Sequence, residues 1–176
     1  MSALNGKKFA VFLASMHDEK EFIYPLYRLK EAGASVVVAA EEAGKEYTSK
    51  SGMKEKSEKA WSALKASDLD GIVIPGGFGP DYMRRSKDCL RLVKEVFEAG
   101  KLVAFICHAG WVPISAGILK GKKVTSFPSI KDDLINAGCQ WEDRSMVRDG
   151  NPISSRDPED LPDFMQGILE YFQNKA

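Results

Sequence analysis

Lys8-Phe-Ala-Val-Phe-Leu-Ala14 is a stretch of strand length in which every residue after Lys8 is apolar. A strand that is apolar on both faces belongs in a parallel sheet covered by helices on both sides. The next stretch, Glu21–Gly33, has apolar residues at helical spacing and closes on a glycine. A second run, Ser35–Ala40, is rich in β-branched residues and predicts another strand. Together these segments predict a βαβ unit with a right-handed crossover.

The same alternation continues to the end of the chain. Further strands are predicted at 71–75, 101–106 and 123–125, with two short ones in 146–155, and further helices at 88–100, 109–116, 130–138 and 160–174. The polar segment 41–57 fits a short hairpin on the sheet edge, and 60–66 fits one or two helical turns. The pattern predicts one three-layer α/β domain over residues 1–176, with a mostly parallel central sheet.

Composition excludes several classes of protein. Lys plus Arg and Asp plus Glu each total 25, and zero net charge argues against binding to nucleic acid or to an anionic membrane. The longest apolar runs, Phe9–Ala14 and Leu102–Cys107, are far shorter than the roughly 20 residues of a membrane-spanning helix. The start of the chain lacks the apolar block of a secretion signal. Three widely spaced cysteines fit neither a disulfide framework nor a zinc site, and indicate a reducing cytoplasm.

Three segments that carry residues able to take part in catalysis or binding follow predicted strands: Ser15–Glu19, Gly76–Asp81 and Cys107-His108. In open parallel sheets, ligands bind beyond the carboxyl ends of the strands, so these segments are expected at one site.

Cys107 follows an apolar strand and precedes a predicted helix, which is the arrangement of a nucleophile elbow. The positive end of a helix dipole favours a thiolate there, although a cysteine after a strand can equally be a small buried apolar residue. The adjacent His108 can exchange a proton with the thiol or with a substrate. The Gly76-Gly77 pair allows close backbone approach, so its amides and that of His108 could form an oxyanion hole; a plain tight turn is the alternative.

The acidic residues after the first strand have two interpretations. A carboxyl group beside the thiol could set its ionisation, and Asp18 is a candidate, but Asp18 equally fits a helix N-cap. Glu19 and Glu21 are explained by the preference of acidic residues for a first helical turn. His17 is given no role.

Three further features are interpreted as mainly structural. Cys89 lies on an amphipathic helix, and Cys139 lies near a strand start. Ser154-Ser155-Arg156 follows a strand, and Arg156 could contact a substrate carboxylate or an interface, but a plain surface position is at least as consistent with the sequence.

Long blocks of the sequence resemble one known family. The blocks are Ile23–Gly33, Ile74–Gly77, Ile106–His108, Ser115–Gly121, Thr125–Gly138 and Asp149–Asn151. They are similar to the PfpI-type intracellular peptidases of the ThiJ/PfpI superfamily, which includes the parkinsonism-associated protein deglycase and has a class I glutamine amidotransferase-like fold.

The resemblance implies a flavodoxin-like sandwich, with Cys107 as the nucleophile, His108 as its partner and the Gly77 and His108 amides as the oxyanion hole. It implies dimers, often assembled into hexamers, with the site near a subunit interface, and it implies no cofactor or metal. Aligned from Ile23-Tyr24-Pro25, it implies Asp18 where the family has a glutamate on the cysteine.

The resemblance also implies Asp81 where peptidase-like members have a glutamate that reaches the histidine from a neighbouring subunit. Each Glu-to-Asp change shortens the side chain by one methylene, so either contact could be lost or bridged by water. Ala109-Gly110-Trp111 stands where Gly-Pro is common, and Trp111, with Gly76, is expected to shape the substrate pocket.

Two functions follow. The first is a cysteine-dependent stress-response enzyme whose thiol attacks the carbonyl of a small aldehyde or of a peptide bond; small aldehydes fit better because a peptidase needs an acid to orient His108. The second is a redox-sensing stress protein or chaperone whose reactive cysteine is oxidised without substantial turnover. A flavodoxin-like cofactor binder is a weaker third alternative.

Overall fold

Strands and helices alternate along the computed structural model, which describes residues 3–173. The strands are β1 (Lys8–Phe12), β2 (Ser35–Ala40), β3 (Glu46–Thr48), β4 (Lys54–Lys56), β5 (Lys59–Ala60), β6 (Gly71–Ile74), β7 (Leu102–Ile106), β8 (Lys123–Val124), β9 (Gln140–Trp141), β10 (Met146–Arg148) and β11 (Pro152–Ser155). The helices are α1 (Glu19–Glu31), α2 (Gly79–Met83), α3 (Lys87–Glu98), α4 (Trp111–Ser115), α5 (Lys131–Asn136) and α6 (Leu161–Gln173). The predicted end of the last helix, at Asn174, lies outside the described residues.

The central sheet runs in the order β10-β11-β7-β6-β1-β2-β5. Its pairings are parallel except for that of β10 with β11, which confirms the predicted mostly parallel sheet. Because β1, β6 and β7 are neighbours, their carboxyl ends meet at one edge. The three segments singled out in the sequence therefore lie side by side.

Each face of the sheet carries its own apolar core. Phe9 and Val11 of β1 pack with α1 and α6, whereas Ala10 and Phe12 of the same strand pack with α3 and α4. Successive residues of one strand thus fill opposite layers, which explains why the strand is apolar throughout. Within residues 3–173, no helix is long and apolar enough to cross a membrane.

The polar segment after β2 forms the predicted hairpin, but at a different place. Strands β3 and β4 pair as a separate two-stranded ribbon, and β5 takes the edge of the central sheet. The Met16 N–H donates to the Thr48 carbonyl at 2.7 Å, and the Lys50 N–H donates to the His17 carbonyl at 3.0 Å. The ribbon is therefore held against the loop that follows β1.

The helix predicted at 109–116 is shorter than expected. Residues Cys107–Gly110 form a 3₁₀ turn, and α-helical geometry begins only at Trp111. Pro113 supplies the reason, because it has no N–H to donate and is tolerated only within a first turn. A helix starting at Ala109 would have placed Pro113 beyond that turn. The segment at 60–66 likewise forms 3₁₀ turns, Trp61–Ala63 and Ala66–Asp68.

Candidate active site

Cys107 occupies a strained turn at the end of β7. Its φ is +62°, a left-handed conformation that non-glycine residues rarely adopt. Such a turn lifts the residue out of the strand and directs its side chain across the sheet edge. The residue is 7% exposed, so the sulfur lies in a mostly dry site. Strain of this kind is usually found at functional positions.

The two glycines after β6 form the wall facing the cysteine. The N–H groups of Gly77 and His108 both face the Cys107 sulfur and favour its ionised form. A Cβ atom on Gly76 would lie 2.5 Å from Glu21 Oε2 and 2.7 Å from Cys107 Cβ, so a larger residue would displace the site. Gly77 has a φ of +73°, and a Cβ atom on it would lie 2.5 Å from the Asp18 nitrogen. Both positions therefore require glycine for steric reasons.

Glu21 is the carboxyl group that meets the thiol. Its side chain is fully buried and its Oε2 accepts the Gly76 N–H at 2.7 Å. Its Oε1 has no hydrogen-bond partner among residues 3–173, although the Cys107 thiol lies beside the carboxyl group. Burial, and after it the nearby charge of Asp18, raise the pKa of Glu21 to about 8. Glu21 lies in the first turn of α1, as predicted, but its side chain is buried beside the thiol, a position that the preference of acidic residues for a first turn does not explain.

Asp18 is the N-cap of α1. Its Oδ1 accepts the N–H groups of Lys20 and Glu21 at 3.0 and 3.2 Å, and its Oδ2 pairs with Lys50 Nζ at 2.5 Å. The expected contact of Asp18 with the cysteine is wrong, because the Asp18 carboxylate is engaged by the helix start and by Lys50. The residue one helical turn before Pro25, on the same face of the helix, is Glu21. The other interpretation of Asp18, as a cap, is confirmed.

His108 lies between the thiol and a hydroxyl. Its Nδ1 is 3.1 Å from Cys107 Sγ, and its Nε2 is 3.0 Å from Ser129 Oγ. The Phe127 ring stacks on the imidazole at a centroid distance of 5.1 Å, and Trp111 meets it edge-on at 5.3 Å. Burial lowers the pKa of His108, and the positive charge of Lys50 lowers it further, so the neutral imidazole predominates.

Asp81 lies apart from the histidine in this chain. It is in α2, its side chain is about half exposed, and its nearest cation is Arg85, 4.0 Å away. Within residues 3–173, the hydrogen-bond partners of the His108 side chain are Cys107 and Ser129. A role for Asp81 across a subunit boundary stays a prediction. Trp111 lies beside His108, as expected of a pocket residue, and its Nε1 donates to Asp133 at 2.8 Å.

The predicted lowering of the thiol pKa by a helix dipole differs from the structure. Burial raises the pKa of Cys107, and the charge of an ionised Glu21 raises it further, whereas the Gly77 and His108 amides act in the opposite direction. The dipole is weak here because a 3₁₀ turn and a five-residue helix follow the cysteine. Burial is therefore the main obstacle to ionisation of this sulfur, and an ionised Glu21 adds to it.

The remaining candidates are structural in this chain. Cys89 and Cys139 are buried and free, as predicted. The Arg156 guanidinium hydrogen-bonds to the carboxylates of Asp160 and Asp143. Its donors are therefore engaged within this chain and not by a substrate carboxylate. His17 is fully buried, and its Nδ1–H donates to the Ala14 carbonyl at 2.9 Å.

A family model and individual relatives place the chain near the same group of proteins. The model described as the DJ-1/PfpI family matches residues 7–171. Deglycase PfpI of Pyrococcus furiosus is 41% identical over 163 residues, which cover 93% of this chain and 98% of that protein. "Putative cysteine protease YraA" of Bacillus subtilis is 43% identical over 164 residues, which cover 93% and 97% of the two chains.

The solved structures agree with the sequence relatives. DJ-1beta of Drosophila melanogaster superposes with a TM-score of 0.87 at 32% identity, covering 96% of this chain and 94% of that one. The DJ-1/ThiJ/PfpI-like and ferritin-like two-domain protein of Anabaena variabilis superposes with a TM-score of 0.91 at 41% identity, covering 93% of this chain and 47% of that one. Since a family model and close relatives both match nearly end to end, the chain belongs to the DJ-1/PfpI family.

Proposed function

We propose that this protein is a cysteine-dependent stress-response enzyme that attacks the carbonyl carbon of small reactive aldehydes, such as methylglyoxal, or of their adducts on proteins. The observation that carries the proposal is the buried pair of Cys107 and Glu21 beneath the amides of Gly77 and His108. Those amides are the donors that an oxyanion requires. Relatives that carry the name deglycase support the same class of reaction.

Glu21 is the proton donor of the proposed site. Because its pKa is raised to about 8, the carboxyl keeps its proton at neutral pH and has an O–H to donate. A neutral carboxyl exerts no charge repulsion on the sulfur, and its O–H stabilises a thiolate by a charge-assisted hydrogen bond. The reactive form is therefore a Cys107 thiolate held by protonated Glu21.

The chemistry follows from that form. The thiolate bonds to the aldehyde carbon of methylglyoxal, and the carbonyl electron pair becomes an oxyanion on the Gly77 and His108 amides. His108 Nδ1 removes the proton from that carbon and returns it to the neighbouring ketone carbon, while the oxyanion re-forms a carbonyl. The former ketone oxygen takes the proton of Glu21, which leaves a lactoyl thioester on Cys107, and Glu21 regains a proton from the water that cleaves it. Water then cleaves the thioester, and lactate leaves as the thiolate is restored.

Peptide hydrolysis is the less supported reaction of the same site. An amine leaving group must be protonated, and a histidine that does this is normally oriented and charge-stabilised by a carboxylate. In the described part of the chain, His108 has a hydroxyl partner in place of a carboxylate, and Asp81 lies beside Arg85.

The test is turnover by a Cys107→Ser variant. We expect loss of methylglyoxal conversion to lactate, because a serine hydroxyl does not ionise in this site. Cys139→Ser is the matched control, since Cys139 is also buried and free. A peptide substrate assayed on the same preparations separates the two reactions. Undiminished lactate formation by Cys107→Ser would remove the cysteine from the mechanism.

A redox-sensing role is the second candidate. The observation that favours it is that two amides and a carboxyl surround one sulfur, an arrangement that could hold the oxygens of a sulfinate. Two equivalents of peroxide would oxidise the thiol to sulfinic acid and be reduced to water. Intact-mass and peptide analysis after mild peroxide should show two added oxygens on Cys107 alone. Equal oxidation of Cys89 and Cys139 would argue against sensing.

We further propose that copies of this chain associate as dimers or hexamers and act in the reducing cytoplasm. A groove of about 900 Å³ runs along α1 to the start of α6, and Ile23, Tyr24, Tyr27 and Leu161 line it. Tyr27 is 63% exposed, which is unusual for a large aromatic ring on a monomer surface. All three cysteines are free, as a reducing compartment requires.

A further inference from the structure

Ser129 lies at the end of a hydrogen-bonded line that begins at the nucleophile. Cys107 Sγ is 3.1 Å from His108 Nδ1, and His108 Nε2 is 3.0 Å from Ser129 Oγ. The order thiol, imidazole and third polar group is that of a catalytic triad, in which the third group orients the imidazole. Within this chain the third group is a neutral hydroxyl.

The position of Ser129 is fixed by its neighbours. Phe127 stacks on the His108 ring, and its N–H donates to the Cys107 carbonyl at 3.2 Å. The 3₁₀ turn Pro128–Ile130 follows directly, and Ile130 is buried in the protein. Ser129 itself is exposed to solvent, and these two neighbours fix the backbone that carries its hydroxyl.

A hydroxyl and a carboxylate have different effects on an imidazole. Both can accept an N–H from Nε2, which leaves the Nδ1 lone pair directed at the thiol. A carboxylate also stabilises the imidazolium by its charge, as protonation of an amine leaving group requires, and a hydroxyl does not. The rings of Phe127 and Trp111 around His108 add no compensating negative charge.

We propose that Ser129 is a positioning residue that holds His108 as the neutral Nε2–H tautomer, and that its hydroxyl restricts the site to carbonyl substrates without an amine leaving group. The inference rests on the proposed function, because it names the substrate class of the same cysteine. Ser129 acts through His108 and touches neither the sulfur nor the reacting carbon.

The tautomer can be measured without any substrate. The chain has two histidines, and His17, whose Nδ1–H donates to a carbonyl, is a built-in reference for the opposite tautomer. Long-range ¹H–¹⁵N correlation spectra of the whole protein should show His108 as the Nε2–H form. Ser129→Ala should shift His108 toward a mixture of tautomers, and Ser129→Thr, which keeps the hydroxyl, should restore the original signal. His17 should not change in either variant.

Turnover provides the second measurement. For Ser129→Ala we expect kcat for methylglyoxal to fall about tenfold with little change in KM, because positioning is lost and binding is kept. Ser129→Thr should recover most of that loss. Ser129→Asp should raise the apparent pKa of His108 in an NMR titration and increase peptide hydrolysis relative to lactate formation.

The outcomes separate this inference from the proposed function. A wild-type protein that never forms lactate would overturn the function, while the tautomer spectra would still test Ser129. Unchanged His108 spectra in Ser129→Ala, together with kcat within about twofold of wild type, would overturn the positioning role.

Discussion

At the scale of single residues, a thiol and a carboxyl group in one dry site compete for protons. Neither Cys107 nor Glu21 is easily ionised alone, because burial disfavours both charges. A single negative charge shared by the pair is tolerated, since the amides of Gly76, Gly77 and His108 all point at it. The reactivity of the sulfur is therefore a property of the pair.

The raised pKa of Glu21 makes stability depend on pH. In the unfolded chain this carboxyl ionises near its ordinary pKa of 4.5, whereas in the fold it keeps its proton to about pH 8. Its contribution is thus complete below pH 4.5 and is lost as pH rises to 8, by about 1.4 kcal/mol per pH unit. Glu21→Gln cannot ionise and should lack this slope. Between pH 5.5 and 7.5, the unfolding free energy of wild type should fall by about 2–3 kcal/mol relative to Glu21→Gln.

Urea denaturation at the two pH values measures that difference, and other titrating groups cancel in the subtraction. Glu98→Gln, at an exposed position of α3, is the control and should follow wild type at both pH values. A constant difference between wild type and Glu21→Gln would show that Glu21 is already ionised in the folded protein at pH 5.5.

The buried position of Glu21 could have been predicted from the spacing of its neighbours in the sequence, which the first-turn interpretation did not consider. Glu21, Pro25 and Leu29 follow one another at intervals of four residues, so they share one face of α1, and that face is buried. A carboxyl group on an apolar helical face is rare without a function. Ser129 gave no such signal, because its contact with His108 depends on how a distant turn packs against the site.

At the scale of elements, α1 starts two residues earlier than the apolar spacing predicted. The Asp18 side chain satisfies two N–H groups that the first turn would otherwise leave unpaired, and so fixes the helix start. That start determines which helical face carries Glu21 toward β6 and β7. The capping contact and the buried carboxyl are therefore parts of one local arrangement.

Substitutions at Asp18 distinguish capping from acid chemistry. Asp18→Ala should cost about 1 kcal/mol of stability, whereas Asp18→Ser keeps an N-cap oxygen and should cost only a few tenths. At pH 6, well below the Glu21 pKa of about 8 to which the Asp18 charge contributes, lactate formation by both variants should stay within about twofold of wild type, because the Asp18 carboxyl contacts backbone amides and Lys50. Thermal unfolding and turnover on the same samples measure both effects. An Asp18→Ser protein of normal stability with tenfold lower kcat would assign Asp18 to the chemistry.

At the scale of the whole molecule, the layering and the parallel character of the sheet could be anticipated better than the contacts across it. Apolar strands such as 101–106 and the glycines that close the helices predicted the α/β layering, and the parallel sheet then placed Cys107 beside Gly77. The ribbon of β3 and β4 could not be placed in the same way. Its position depends on backbone bonds from Met16 and Lys50, which carry no pattern in the sequence.

Charge along α1 favours a second copy of the chain in its groove. The first turn carries Glu19, and the last turn carries Arg28 and Lys30. When two α1 helices pack antiparallel about a two-fold axis, each acidic end faces a basic end, and the exposed Tyr24 and Tyr27 rings are covered. Both helix dipoles are then favourably opposed. The assembly proposal therefore predicts that a charge placed at the centre of this groove separates the copies.

Tyr27→Glu tests whether the α1 groove is the contact between copies. The substitution should leave the fold of the single chain intact, because the Tyr27 side chain is mostly exposed. Sedimentation velocity at micromolar concentration should show wild type as a dimer or larger and Tyr27→Glu shifted toward monomer, since a buried unpaired carboxylate opposes association. Ile135→Glu changes another exposed apolar residue, on α5 in the opposite layer, and should leave the dimer intact. A monomeric wild type, or equal dissociation by both variants, would show that the α1 groove is not the contact between copies.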